Sequence, residues 1–183
     1  MIAQVATAAL VGIEAHTVQV EVDFSRSGMP SFTLVGLAEG AVREAKERVF
    51  AALRNSGFRL PPARITVNMA PAALRKDGSA YDLPLALALL AGAEVLPQEA
   101  LAGVWCAAEL SLDGTLKPVP GILPLALRAR REGARALVVA QESAAEAAAA
   151  KDVPVFGCHS LAEVVGLLTG EISRRPQSAD LAS

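Results

Sequence analysis

At 183 residues and 52% hydrophobic content, the chain has the length and apolar content of one ordinary globular domain. A formal net charge of −2 and a pI near 5.7 exclude a bulk polycation, so any nucleic-acid contact has to come from a local patch. Cys106 and Cys158 stand far apart without C-x-x-C spacing, which argues against a disulfide framework or a zinc site, and neither a signal-like N-terminus nor an uncharged run of roughly 18 residues is present, so a cytoplasmic protein without a membrane span is expected.

Residues 2–10 are small or β-branched, and Val18, Val20, Val22 and Phe24 alternate with Gln19, Glu21 and Asp23, the period of a half-buried strand. The Ser25–Pro30 segment is a turn signal, and Ser31–Val35 reads as a third strand closing a hairpin, so an antiparallel meander is expected. From Glu39 to Ser56 the period becomes helical. Val42, Ala45, Val49, Ala52 and Leu53 share a face, Glu39 and Glu44 precede Arg43 and Arg48 by four residues, and Gly57 stands at the C-terminal cap.

A central stretch, Arg64–Ala91, then reads as strand (Ile65–Met69), charged turn and apolar helix (Leu83–Ala93), with Pro84 in the first turn, where its missing N–H costs little. Such a helix is apolar all round and should be buried on most faces. Beyond it, Val104–Leu110 and Thr115–Val119 read as strands joined at Asp113-Gly114, a tight-hairpin dipeptide. A helix over Gly121–Glu132 carries Arg128, Arg130 and Arg131 near its C-terminal end, favourable to its dipole. Ala136–Ala140 is a strand, Ser143–Lys151 an alanine-rich helix, Val153–Phe156 a strand, and Leu161–Leu168 a helix capped by Ser160 and ended by Gly170. Strands alternating with helices in this half suggest a βαβα arrangement on a mixed sheet, while the polar composition after residue 171 reads as a tail or truncated linker over 172–183.

Chemistry is expected first in the turn of the central stretch, where Lys76, Asp77 and Ser79 lie within four residues. A serine nucleophile needs a base, and lysine serves only where burial lowers its pKa, which the neighbouring Asp77 opposes; a solvated turn before a helix is the simpler reading. Gly78 and the following helix N-terminus could hold a phosphate, but no G-x-x-x-x-G-K-[ST] and no G-x-G-x-x-G occurs in the chain. His16 and His159 have no further ligands at metal-site spacing, and the single Trp105 and Tyr81 suit packing better than base stacking. Charge is more informative. Residues 39–76 carry eight basic against three acidic side chains, and residues 77–171 six against twelve. Arg59, Arg64, Arg75 and Lys76 flank one strand and are the candidate phosphate-contacting residues.

Ser27-Gly-Met-Pro-Ser-Phe-Thr-Leu-Val-Gly-Leu37, Val42-Arg-Glu-Ala-Lys-Glu-Arg-Val49, Asn55-Ser-Gly-Phe58, Arg64-Ile-Thr-Val-Asn-Met-Ala-Pro71, Leu74-Arg-Lys-Asp-Gly78 and Tyr81-Asp-Leu-Pro-Leu-Ala86 together resemble the N-terminal domain of the YifB/ComM family of magnesium-chelatase-like AAA+ proteins. The resemblance runs from Met1 to Glu171, departing at Ala38-Glu39-Gly40, where the family more often has Pro-Asp. It implies a mixed α+β or α/β fold of the ribosomal S5 domain 2, Lon-protease-like type, with residues 1–171 as one domain. It also implies an AAA+ module elsewhere in the parent protein, which would carry the ATP and Mg²⁺, a hexameric assembly, and a role in DNA branch migration during natural transformation. No cofactor is expected in this chain. Laid on the Lon peptidase motif, Ala80 falls on the catalytic serine and Leu125 on the catalytic lysine, and neither side chain can do that chemistry. The expected role is a non-catalytic accessory domain in DNA binding or assembly. The alternatives are a serine peptidase using Ser79 with Lys76, or a purely structural oligomerisation module.

Overall fold

The computed structural model describes residues 1–35, 39–76 and 78–179, without side-chain detail at 39–42. The departure at Ala38 and the acidic member of the central turn, Asp77, lie outside the described residues.

Strands β1 (Ile2–Val11) and β2 (Glu14–Ser25) pair antiparallel along their length, and Val18, Val20, Val22 and Phe24 are buried as their alternation predicts. The third strand, β3 (Ser31–Val35), does not close a hairpin on β2. Instead β4 (Arg64–Ala70) lies between them, antiparallel to β2 over Gln19–Ser25 and parallel to β3 from Ser31 opposite Arg64 to Val35 opposite Asn68. The expected meander is therefore a β-α-β crossover through α1 (Glu39–Asn55). Its physical reason is local: a 17-residue helix supplies the long connection that parallel strands need. β4 also buries Ile65, Val67 and Met69 and takes the interior position, leaving the half-exposed β3 at the rim.

The second half adds β5 (Val104–Ala107), β8 (Ala136–Ala140) and β9 (Val155–Cys158) in parallel, giving one seven-stranded mixed sheet in the order β3-β4-β2-β1-β5-β8-β9. A small separate hairpin joins β6 (Glu109–Leu110) to β7 (Leu116–Lys117) around Gly114, whose φ of +91° requires a residue without Cβ strain. The strand expected over 104–110 is broken at Ala108 because that residue's main chain serves the central helix: its N–H donates to the Ala80 carbonyl at 3.2 Å, and its carbonyl accepts from Leu83 N–H at 3.1 Å.

Helices cover both faces. α1, α2 (Asp82–Gly92) and α5 (Leu161–Thr169) pack with the larger core cluster, α3 (Ile122–Arg131) and α4 (Ala144–Ala148) with the smaller one on the opposite face. All eleven residues of α2 are buried, as its unbroken apolar sequence implies. α2 approaches β2 so closely that a Cβ added at Gly92 would stand 2.9 Å from Phe24 Cβ, an atom fixed by its own backbone. Gly92→Ala should therefore destabilise the fold by about 1–3 kcal/mol through overpacking, read as a lower urea midpoint at unchanged m-value.

The C-terminal residues that composition reads as structureless are held against the domain as far as Gln177. Ile172 N–H donates to Gly166 O at 3.0 Å, and Gln177 N–H reaches Val155 O on the edge strand β9 at 2.6 Å. Between them Arg174 pairs with Glu163 and donates to the Gly157 carbonyl at 2.6 Å. Burial opposes ionisation of Glu163, yet the His159 N–H and Arg174 hold its carboxyl below the usual range. A depressed carboxyl contributes stability that is present above the unfolded-state pKa and lost as pH falls through the folded-state pKa. Acidification below the ordinary glutamate range should thus free this segment early. Amide exchange at Gln177 should accelerate there, and Glu163→Gln should make the exchange insensitive to that pH window. Among the described residues no helix is long and apolar enough to cross a membrane.

Candidate functional site

The central stretch is anchored by a pair that spacing does not reveal. Arg48 on α1 donates from Nε to Asp82 Oδ2 at 2.7 Å and from Nη2 to Asp82 Oδ1 at 3.0 Å, a two-pronged contact between residues 34 apart in sequence. Asp82 is fully buried at the first position of α2, and its Oδ2 also accepts from Leu110 N–H at 3.0 Å, which fastens the β6–β7 hairpin to the helix start. Burial raises the Asp82 carboxyl above the usual range despite these donors, while the hydrogen bond to Asp82 raises the Arg48 guanidinium. The i,i+4 partner expected for Arg48, Glu44, stands 3.8 Å away with an exposed side chain and is the lesser contact.

Residues 78–81, which lead into α2, lie beside β1 and the end of β5, two parallel strands with Ala6 opposite Trp105. A cavity of about 330 Å³ opens there, lined by Ala8, Ala107 and Val119 together with Ala80 and Leu125, and with Arg75 and Ser79 also on its wall. Ala80 and Leu125, 45 positions apart, thus share one cavity, and they are the two positions that the Lon motif assigns to nucleophile and base. A methyl group and an isobutyl group supply neither function at those two positions.

The four basic candidates are not brought together. Arg59 and Arg64 are exposed at the entrance of β4, where Arg64 lies opposite Ser25 and Ser31. Arg75 is exposed beyond the far end of that strand, beside the cavity, and a seven-residue strand separates the two ends by roughly 20 Å. Lys76 departs from the expected solvated turn: it is only 1% exposed, and its amine donates to the Pro71 carbonyl oxygen. Burial lowers its amine from the ordinary lysine range. An enclosed ammonium does not reach a phosphate backbone at the surface, so Lys76 does not belong with the exposed arginines.

Sequence reasoning missed two cations at this end of the molecule as site residues. Lys46 and Arg54 on α1 line a groove of about 460 Å³ with Phe32, Phe50 and Phe58. Their spacing with Phe50, i, i+4 and i+8, was a readable signal, because such residues fall near one face of a helix. Both cysteines are buried, and burial raises both thiols, Cys158 to about 11. Among the described residues no cluster of His, Cys, Asp and Glu could hold a metal ion.

Residues 20–143 match the family described as subunit ChlI of Mg-chelatase, a span that includes the crossover, the Arg48–Asp82 pair and the part of the cavity wall from Arg75 to Leu125. The chain belongs to this magnesium-chelatase-like family. Within it, the chain is 42% identical to YifB of Salmonella typhimurium over 183 residues, all of this chain and 36% of that protein. It is also 42% identical to the competence protein ComM of Haemophilus influenzae over 163 residues, 89% of this chain and 32% of ComM. A more distant similarity, 28% over 174 residues, links this ChlI-family chain to the Lon protease of Salinispora arenicola, of which it covers 21%. The chain therefore spans about a third of the length of the YifB and ComM relatives it matches.

Proposed function

We propose that this chain is a non-catalytic accessory domain of a ComM-like AAA+ protein, contributing DNA contact to a motor whose ATP and Mg²⁺ are held by another module and whose parent assembles as a hexamer. The observation that carries the non-catalytic part is the shared cavity: Ala80 and Leu125, the positions that the Lon motif gives to serine and lysine, both line it. The DNA part rests on Arg59 and Arg64, both exposed in the segment that leads into β4. Because the whole molecule carries a net charge of −2, attraction to a polyanion must be local to that segment.

Fluorescence anisotropy with labelled single-stranded and duplex DNA at low salt tests this reading. Saturable binding that weakens as salt is raised supports it, and no binding at low salt removes it. The peptidase alternative keeps one favourable feature, the lowered Lys76 amine, and is tested separately. A fluorophosphonate probe should leave Ser79 unmodified, whereas stoichiometric labelling abolished by Ser79→Ala would establish a reactive serine.

A further inference from the structure

We propose that the outer edge of β3 and the groove beside it form a docking site for an extended acidic peptide bearing aliphatic side chains, separate from the DNA contact at Arg59 and Arg64. β3 ends the sheet, with β4 as its neighbour. Ser31 N–H donates to Ala63 O at 3.2 Å, on the β4 side. Strand alternation then turns the main-chain groups of Ser31, Thr33 and Val35 toward β4, and those of Phe32 and Leu34 outward. Outward-facing N–H and C=O groups on a rim strand are the template to which a further strand adds.

The groove supplies what main-chain pairing alone lacks, a pocket for a side chain. It lies between the start of β3, the C-terminal half of α1 and the 58–63 loop, with Phe50, Leu53, Phe58 and Ile65 as apolar walls and a volume of about 460 Å³. Phe32 and Phe50 meet edge to face, with centroids 5.9 Å apart and ring planes at 76°, and the Lys46 amine sits 5.0 Å from the Phe32 centroid. These rings are engaged with each other and with a cation, and a base-stacking surface needs an open ring face. An aliphatic side chain entering beside them needs only apolar wall. The charged residues that line the groove, Lys46 and Arg54, are both basic and stand two helical turns apart on α1, with Phe50 between them. An extended peptide whose aliphatic and acidic residues stand two positions apart turns both toward this face, the aliphatic chain entering between the apolar walls and the carboxylates meeting the two cations.

The test uses a fluorescein-labelled hexapeptide, Asp-Ser-Leu-Ser-Glu-Ser, and a control in which lysine replaces each acidic residue. Anisotropy should show saturable binding of the acidic peptide alone, at least tenfold weakened by Lys46→Glu with Arg54→Glu and retained in Arg59→Ala with Arg64→Ala. Bound peptide should slow amide exchange at Phe32 and Leu34, and Leu34→Pro, which removes an outward N–H, should abolish binding while circular dichroism remains unchanged. Failure of the DNA reading leaves these outcomes untouched, because the two sets of substitutions do not overlap. Absence of saturable binding, equal binding of the lysine control, or unchanged exchange at Phe32 and Leu34 would overturn the proposal. Displacement of the peptide by oligothymidylate, with DNA affinity lost on Phe32→Ala or Phe50→Ala, would reassign the groove to nucleic acid.

Discussion

Asp82→Ala should lower the unfolding free energy by about 3–5 kcal/mol, a large part of the roughly 5–15 kcal/mol that an ordinary domain has. The side chain is fully buried, and its removal strands three donors, two on Arg48 and the Leu110 N–H. Arg48 keeps partial access to water with 24% of its side chain exposed, so Arg48→Met should be the harsher test of the opposite half, leaving an enclosed carboxylate without its cation. The joint variant Arg48→Met with Asp82→Leu should recover much of the loss, because neither charge is then left unpaired. Urea unfolding of the unaltered protein, Arg48→Met, Asp82→Leu and the joint variant gives the coupling directly. A loss below about 1 kcal/mol for Asp82→Ala would mean that the pair is replaceable by water and does not hold the central helix in place.

Arg59→Glu with Arg64→Glu should weaken DNA binding at low salt by tenfold or more, with little change in stability, since both side chains are exposed. Reversal at Lys76 is not an equivalent experiment. Its amine is enclosed, and a carboxylate placed there would test folding. Arg75→Glu should have a smaller effect than the Arg59 and Arg64 pair, because it lies at the other end of β4 and would contact phosphates only on DNA long enough to span that distance.

The elements themselves were largely legible. Alternation in β2, the helical face of α1, the all-apolar α2 and the Ser160 cap each express a local rule, and Ser160 Oγ accepts from Glu163 N–H at 3.2 Å as the capping residue should. What local rules could not supply was pairing between distant segments. β3 precedes β4 in the chain but pairs with it in parallel, and no turn signal before Ser31 distinguishes a hairpin from the start of a crossover. The same holds for charges. Spacing pairs Arg48 with Glu44 at i−4, while its main partner, Asp82, lies 34 positions away. Lys76 looked solvated because its neighbours are polar, whereas its environment is set by the fold of residues 71–76 around its own amine. The cavity is the converse case. Ala80 and Leu125 were singled out by resemblance to a motif, and the fold brings both to one wall-to-wall space.

The salt dependence of DNA affinity for the unaltered protein tests the central claim most directly. Two arginines contacting phosphates predict a slope of about −2 in log affinity against log salt, falling toward zero when Arg59 and Arg64 are both reversed to glutamate. No measurable binding at low salt, or a slope that the reversal leaves unchanged, would contradict a DNA-contacting role for this end of the domain.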